Sequence, residues 1–156
     1  MTGQINMLHF DSIISNLNAN TTKQVLQKLS EHTSNLVGTS QKAVYETLVE
    51  QEREQSSGIG HGVAIAHMRL PRLTRPLTIF AKLEKSVDFQ SVDGEPVDLI
   101  CLVMSPEHEG PQHLNRLAAV SRNLNDVDLC NRLRNAEDAG NIKTLIKRFN
   151  ERKLAA

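Results

Sequence analysis

The apolar run VDLICLVMS, residues 97–105, constrains the fold more than any other stretch of this chain. Its apolar residues are nearly continuous instead of alternating with polar ones, which is typical of a β-strand buried on both faces of a sheet. A strand of this kind needs packed elements on each side of its sheet. The sheet that contains it is therefore expected to have helices packed against it.

Helical patterns both precede and follow the apolar run. Residues 21–34 and 40–54 place apolar residues at helical spacing, which predicts an antiparallel helical pair joined near Gly38. The last third of the chain contains three further helical patterns. These begin near the predicted helix-starting residues Pro111, Asp126 and Asp138.

The middle of the chain is typical of strands. Residues 63–66, VAIA, are β-prone, and residues 76–84 alternate apolar and other residues as a strand does. Residues 1–20, 56–62 and 70–76 are predicted to be mainly irregular, turn and surface loop, respectively. The order of helices, strands and helices predicts a single α/β domain over residues 1–156, with helices packed against a sheet.

The composition narrows the function classes. The 156 residues carry 18 Lys plus Arg and 18 Asp plus Glu, with no tryptophan and one tyrosine. This balance argues against nucleic-acid binding, which usually needs a basic surface and often aromatic stacking platforms. No signal peptide or apolar run of the roughly 18 residues that cross a bilayer is evident. We therefore expect a cytoplasmic protein that does not insert into a membrane. Its two cysteines are far apart in the sequence, and we expect both to be free thiols.

Two histidines stand near the ends of the segment GIGHGVAIAHMRLPR, residues 58–72. If one strand runs through both, His61 and His67 leave it on the same face. Small residues would occupy the other face and let another element lie close. These small residues are Gly62, Ala64 and Ala66.

His67 is the candidate for chemistry because it follows a strand-like segment and precedes a loop. Neutral imidazole is a nucleophile near neutral pH, and His113, in the predicted first turn of a helix, would be favoured in its neutral form. An arginine fork at Arg53 and a glycine-rich turn with free N–H groups suit phosphoryl oxygens. The candidate site residues are therefore His67, His113 and Arg53, with a possible phosphate-binding turn of Gly60, His61 and Gly62.

Plainer interpretations of these residues stay open. A lone histidine often has only a packing or surface role, and His61 fits a turn at a strand start. Metal binding by His61 with His67 would need further ligands, but the spacing of the candidates is not compact. These candidates are His108, His113 and Glu109. The sequence therefore predicts no metal and no cofactor.

Three segments resemble one known family. SSGIGHGVAIAHMR, VDFQSVDGEPVDLICLVMSPE and HLNRLAAVSRNL occur in the family's order, and the likeness runs from about residue 20 to residue 148. They resemble the IIA domains of the bacterial phosphotransferase system, fructose/mannitol type. Within that group the chain is most similar to the nitrogen-related regulatory IIA proteins.

The resemblance implies a mixed β-sheet flanked by helices and a phosphoryl carrier, not a turnover enzyme acting on a free substrate. His67 would be phosphorylated through Nε2, His113 would help to bind the phosphoryl group, and Arg53 would match the family's arginine. The donor would be an HPr-like phosphocarrier, itself phosphorylated on histidine. Regulated targets of the kind known in the family include sensor kinases and potassium transport proteins.

Three departures from the family pattern leave alternatives open. Ala66 stands where the family has proline, Met68 replaces a small residue and could narrow access to the imidazole, and Arg53 lies closer to His67 in sequence than usual. The alternatives are a sugar-specific IIA component that passes phosphate to a IIB domain, or a binding module that has lost phosphoryl transfer. The sequence does not choose a downstream partner or an oligomeric state.

Overall fold

The computed structural model describes residues 7–155, which form a five-stranded sheet with helices on both faces. The α/β class predicted from the sequence is confirmed. In chain order the elements are β1 (Ser12–Leu17), α1 (Thr22–Val37), α2 (Gln41–Glu54), β2 (Gly58–Gly60), β3 (Val63–Leu70), β4 (Leu77–Val87), β5 (Val97–Pro106), α3 (Pro111–Leu124), α4 (Val127–Asn135) and α5 (Ala139–Ala155).

The sheet is mixed, and its strand order is β1-β4-β5-β3-β2. β5 lies in the middle, antiparallel to β4 and parallel to β3. β1 runs parallel to β4 at one edge, and β2 runs antiparallel to β3 at the other. Every residue of β5 except Asp98 is buried, as the continuous apolar run predicts.

One face of the sheet packs against the helical pair α1 and α2. Ala64 and Ala66 of β3 are buried in this layer together with Leu26, Leu29 and Leu48 of the two helices. Their small side chains let the helices lie close to the strand, as the sequence indicates. The predicted helical pair is confirmed, and Gly38 ends α1 with a φ of 71° that suits glycine.

The opposite face packs against the three C-terminal helices. Val63 and Ile65 of β3 point into this second layer, where Leu133 of α4 and Ile142 of α5 are buried. Because side chains alternate along a strand, His67 lies on this same face. The alternation thus directs His67 toward α3 and away from the helical pair.

The predicted starts of the C-terminal helices are confirmed. The Oδ1 atom of Asp126 accepts from the backbone N–H of Leu129 at 3.0 Å. The Oδ1 atom of Asp138 accepts from that of Asn141 at 2.8 Å. Pro111 occupies the start of α3, where its missing N–H leaves no helical bond unmade.

Two stretches, one predicted to be mainly irregular and the other a turn, contain strands. Ser12–Leu17 forms β1, an edge strand that runs parallel to β4. Its serine and asparagine residues interrupt the alternation of apolar and polar residues that would indicate a strand. Residues 1–6 of the same stretch lie outside the described residues. Gly58–Gly60 forms β2, which is short and built largely of glycine, so its residues carry little strand signal.

His61 and His67 do not share a strand, which corrects the prediction that both leave on one face. β3 begins at Val63, and His61 lies in the tight turn before it with a φ of 56°. The turn reverses the chain from β2 into β3, so strand alternation does not extend back to His61.

Cys101 and Cys130 are both buried and free, as predicted from their separation. Burial raises the pKa of each thiol, so neither forms a thiolate readily. Within residues 7–155, no helix combines the length and apolar character needed to cross a bilayer.

Candidate functional site: a pair of hydrogen-bonded histidines

His67 is half-buried at an open edge of the sheet. β2 pairs only with the beginning of β3, where Gly58 faces Ala64 and Gly60 faces Val63. In the described part of the chain, no strand pairs with this edge of β3 as far along as His67. The β3 scaffold therefore holds the imidazole firmly while leaving it accessible from one side.

His113 approaches His67 from α3. It lies in the first turn of the helix that begins at Pro111, and its side chain is buried, with 2% exposure. Its Nε2 atom is 3.1 Å from Nδ1 of His67, and the two rings are tilted by 50°. The structure thus brings together the two histidines singled out in the sequence, which lie 46 residues apart.

The hydrogen bond to His113 occupies Nδ1 of His67. No group among residues 7–155 forms a hydrogen bond to the other ring nitrogen, Nε2. A neutral imidazole that donates from Nδ1 carries its lone pair on Nε2. The arrangement is therefore able to present Nε2 of His67 as a nucleophile.

A groove of about 500 Å³ opens beside His67. It lies between the end of α2, the β2–β3 edge and α3. Its lining combines polar and apolar groups. Besides His67, the lining includes Glu52, Ser57, Ile59, Leu117 and Ser121.

Arg69 is a cation near the histidine pair that sequence reasoning missed. The structure places it in β3. It is two residues after His67 and therefore leaves the strand on the same face. Its Nε donates to the backbone oxygen of Glu109 at 3.3 Å. Its two-residue spacing from His67 was the available signal, but the β-prone stretch predicted from the sequence ends at residue 66.

Burial and positive charge favour the neutral form of both imidazoles. Desolvation, followed by the charge of Arg69, lowers the pKa of His67. The pKa of His113 is also lowered, first by desolvation and then by Arg69, His67 and Arg116, while Glu109 acts in the opposite direction. A neutral ring is the form that can attack phosphorus.

Arg53 is not brought to the histidine pair. Its side chain is exposed in the last turn of α2, where Nη1 donates to Oε2 of Glu50 at 3.2 Å. Its neighbours Gln51, Glu52 and Glu54 line the groove, but Arg53 does not. Helical periodicity directs its side chain elsewhere, so its predicted role does not fit this arrangement.

The predicted phosphate-binding turn of Gly60, His61 and Gly62 also lies away from His67. It precedes Val63, and the strand from there to His67 spans roughly 13 Å at about 3.3 Å per residue. The N–H of His61 already donates to Oδ2 of Asp93 at 2.9 Å. The turn is thus a structural connection at the other end of β3, and its predicted role is corrected.

Ala66 and Met68 do not obstruct the imidazole. Both point into the layer packed against α1 and α2, with 5% and 3% exposure. They alternate with His67 and so lie on the opposite face of β3. The expectation that the Met68 thioether narrows access to the ring is wrong.

The described residues contain no group of three or more His, Cys, Asp or Glu side chains arranged to hold a metal ion. His61 lies beside Asp93 and Asp98 at the turn, in a shallow surface depression separate from the His67 groove.

A mixed sheet covered by helices on both faces, with an accessible imidazole at one edge, suits a phosphoryl carrier. Residues 6–149 match the family model described as "Phosphoenolpyruvate-dependent sugar phosphotransferase system, EIIA 2". The chain belongs to this family, and it is a phosphoryl carrier of the phosphotransferase system.

The relatives that this chain resembles in sequence include several nitrogen regulatory proteins. A nitrogen regulatory protein of Bradyrhizobium diazoefficiens is 39% identical over 136 residues, covering 87% of this chain and 89% of the relative. A nitrogen regulatory protein of Escherichia coli K12 is 31% identical over 144 residues, covering 88% of each.

Solved structures agree on the fold. The nitrogen regulatory protein IIA-Ntr of Neisseria meningitidis has a TM-score of 0.79 at 22% identity, covering 93% of this chain and 98% of that one. The IIA mannitol protein of Escherichia coli has a TM-score of 0.70 at 15% identity, covering 86% and 94%. Both are similar to this chain in architecture.

Replacing Arg69 with glutamine tests the electrostatics of the pair. Removing the cation should raise the pKa of His67 toward the ordinary value of about 6.5, without reaching it because burial remains. NMR titration of the ring resonances measures this shift. Arg132→Gln, which removes an exposed cation paired with Asp128 on α4, should leave the titration of His67 unchanged. An unchanged or lower pKa in Arg69→Gln would contradict the assigned role of this charge.

Proposed function

We propose that this protein accepts a phosphoryl group on Nε2 of His67 from an HPr-like phosphohistidine donor and regulates partner proteins according to its phosphorylation state. The supporting observation is the half-buried imidazole whose Nδ1 is engaged by His113 while Nε2 has no hydrogen-bond partner among residues 7–155. The adjacent groove gives a donor's side chain access to the ring. No cofactor is needed for this step.

The transfer balances without an added proton carrier. The lone pair on Nε2 of His67 attacks phosphorus in line, and the new N–P bond forms as the donor's N–P bond breaks. The donor ring, whose other nitrogen carries a proton in this step, leaves as neutral imidazole and keeps the electron pair of that bond. The ring of His67 retains its Nδ1 proton and becomes positively charged. Nε2 of His113, 3.1 Å away, accepts the hydrogen bond from that proton and stabilises the charge.

Arg69 supplies the positive charge that the phosphoryl group needs. It lies on the same face of β3 as His67 and acts electrostatically on both histidines. A guanidinium suits the paired oxygens of a phosphoryl group. Arg69 therefore takes the part that the family resemblance suggests for Arg53.

The names of the relatives favour a regulatory role over sugar transport. Nitrogen regulatory proteins match most of this chain, at 39% and 31% identity in Bradyrhizobium diazoefficiens and Escherichia coli. Phosphorylation would add a dianion in the groove that the exposed apolar residue Ile59 helps to line, and so would change which surfaces can dock there. Sensor kinases and potassium transport proteins are the target classes that the family suggests.

A sugar-specific IIA role is the second candidate. A complex of Escherichia coli IIA mannitol with phosphorylated IIB mannitol contains a chain of similar fold, with a TM-score of 0.72 at 14% identity. A fructose-specific EIIA component of Haloferax volcanii is 30% identical over 104 residues. In this alternative the phosphoryl group would continue from His67 to a IIB domain.

The labelling experiment uses the intact protein with an HPr-like phosphocarrier, the first enzyme of the phosphotransferase system and radiolabelled phosphoenolpyruvate. The wild-type protein should acquire an acid-labile, base-stable label, and His67→Ala should acquire none because its nucleophile is missing. Absence of label on the folded wild-type protein would instead support a binding module without transfer activity.

His113→Ala tests the neighbouring ring separately. It should slow labelling by about a hundredfold, since the charge that develops on His67 loses its hydrogen-bond partner, while His67 remains the labelled residue. Gln112→Ala, an exposed substitution in the same helical turn, is the matched control and should label at the wild-type rate. A wild-type rate in His113→Ala would remove His113 from the mechanism.

Mixing the phosphorylated protein with mannitol- and fructose-type IIB domains separates the two candidate branches. The regulatory proposal predicts that the label stays on His67, because no IIB domain is its acceptor. Rapid appearance of the label on either IIB domain would favour the sugar-specific role and contradict the regulatory one.

A further inference from the structure

We infer that the open edge of β3 is a docking site for an extended segment of a partner protein, which adds to the sheet as a further strand beside His67. The segment carries an acidic residue that reaches Arg69 and an apolar residue that enters the groove. Phosphorylation of His67 places a dianion at this edge and releases the segment. Only this release rests on the phosphoryl transfer proposed above, and the docking site itself does not.

The hydrogen bonds of β3 show which of its backbone groups face the open edge. The N–H of Leu99 donates to the carbonyl oxygen of Gly62 at 3.1 Å, so Gly62 and the alternate residues after it bond to β5. The N–H of Ile65 donates instead to the carbonyl oxygen of Ser57, just before β2, at 2.8 Å. The odd-numbered residues of β3 therefore direct their N–H and C=O groups away from β5.

His67 and Arg69 are the odd-numbered residues of β3 that β2 does not reach. β2 pairs with β3 only at Val63 and Ala64. Within residues 7–155, no backbone group forms a hydrogen bond with the N–H or C=O of His67 or Arg69. These groups form a row of free donors and acceptors that matches the backbone of one more strand.

The groove beside this edge has room for the side chains of an added strand. Ile59 of β2, which is 38% exposed, and Leu117 of α3 both line it. Ile65 and Ala66 of β3 line it too, so the groove follows the strand as far as His67. Because the side chains of an added strand would alternate between the two faces of the sheet, one set of them would meet this apolar lining.

The positive charges along the edge favour an acidic segment. Arg69 is exposed and leaves β3 on the same face as His67. Arg72 and Arg75 are exposed in the loop that follows the strand. An acidic side chain on this face of an added strand would therefore meet a guanidinium beside the reactive ring.

The acidic side chains of this region leave that positive charge in place. The carboxylate of Glu109 is paired with Arg116 at 3.0 Å, whereas Glu107 is exposed in the same segment before α3. Two further glutamates line the groove at the end of α2, and these are Glu52 and Glu54. The three arginines thus outweigh the one exposed carboxylate at their end of the edge, and the acidic residue of the segment is assigned to that end.

A simpler interpretation is that Arg69 only prevents the open edge from pairing, as charged residues on edge strands often do. In that case the N–H groups of His67 and Arg69 would stay bonded to water when an acidic peptide is present. Amide hydrogen exchange followed by NMR separates the two possibilities, because it reports on each backbone N–H individually.

The probe is an eight-residue synthetic peptide with valine on one face and threonine and two aspartates on the other, added to the intact unphosphorylated protein. At saturation it should slow amide exchange at His67 and Arg69 by about tenfold or more, since both N–H groups gain a partner. The exchange of Ala66 and Met68, which bond to β5, should not change. The same peptide with lysine in place of aspartate should bind about tenfold more weakly.

Two substitutions at one position separate the charge from the backbone. Arg69→Gln removes the guanidinium, keeps the N–H, and should weaken binding of the aspartate peptide by about twofold to fivefold. Arg69→Pro removes both, at an edge position whose N–H lies outside the ladder, and should weaken binding by about threefold to tenfold more, the effect of one hydrogen bond. Arg132→Gln, which removes an exposed cation on α4, is the matched control and should bind like the wild type.

Phosphorylation supplies the remaining comparison. The phosphorylated protein should bind the aspartate peptide about tenfold more weakly, because the dianion on His67 repels the aspartates. Equal binding by the two forms would overturn the release of the segment.

Unchanged amide exchange at His67 and Arg69 in the wild-type protein, with the aspartate peptide at millimolar concentration, would overturn the docking site and leave the phosphoryl-carrier function standing. This measurement does not depend on either variant folding. Protection of both amides in a protein whose wild type takes no label would support the docking site and contradict the proposed function.

Discussion

The hydrogen bond between His67 and His113 is the interaction on which the site depends. It joins an open-edged strand to the first turn of a helix across 46 residues of sequence, at 3.1 Å. It engages Nδ1 of His67 and leaves Nε2 without a hydrogen-bond partner among residues 7–155. The ring of His67 lines the groove. Burial and the nearby guanidinium of Arg69 favour the neutral form of both rings, and a neutral ring can act as a nucleophile.

Because side chains alternate along β3, the residues that pack the core and the residues beside the reactive ring lie on opposite faces of the strand. Along β3, Ala64, Ala66 and Met68 complete the layer against α1 and α2, whereas His67 and Arg69 leave on the other face, toward α3. The residues that depart from the family pattern beside the histidine therefore act on the core and not on access to the ring. This separation allows changes in packing without loss of the site.

Much of the fold follows from local signals in the sequence. The apolar run at residues 97–105 predicts the central strand, and the caps at Asp126 and Asp138 predict where helices begin. β1 was missed because an edge strand with polar residues has weak alternation. The sequence singles out His67 and His113, and the structure brings their rings together. The positions of Arg53 and the Gly60 turn relative to these rings depend on the rotation of α2 about its axis and on the length of β3, which sequence spacing does not give. Which backbone groups of β3 remain free likewise follows from the tertiary arrangement of the strands.

The most direct measurement of the central claim is heteronuclear NMR of the phosphorylated protein, which identifies the ring nitrogen bonded to phosphorus. We predict that phosphorus is coupled to Nε2 of His67 and that Nδ1 of the same ring keeps its hydrogen bond to His113. Coupling to Nδ1 of His67, or to any other residue, would contradict the account.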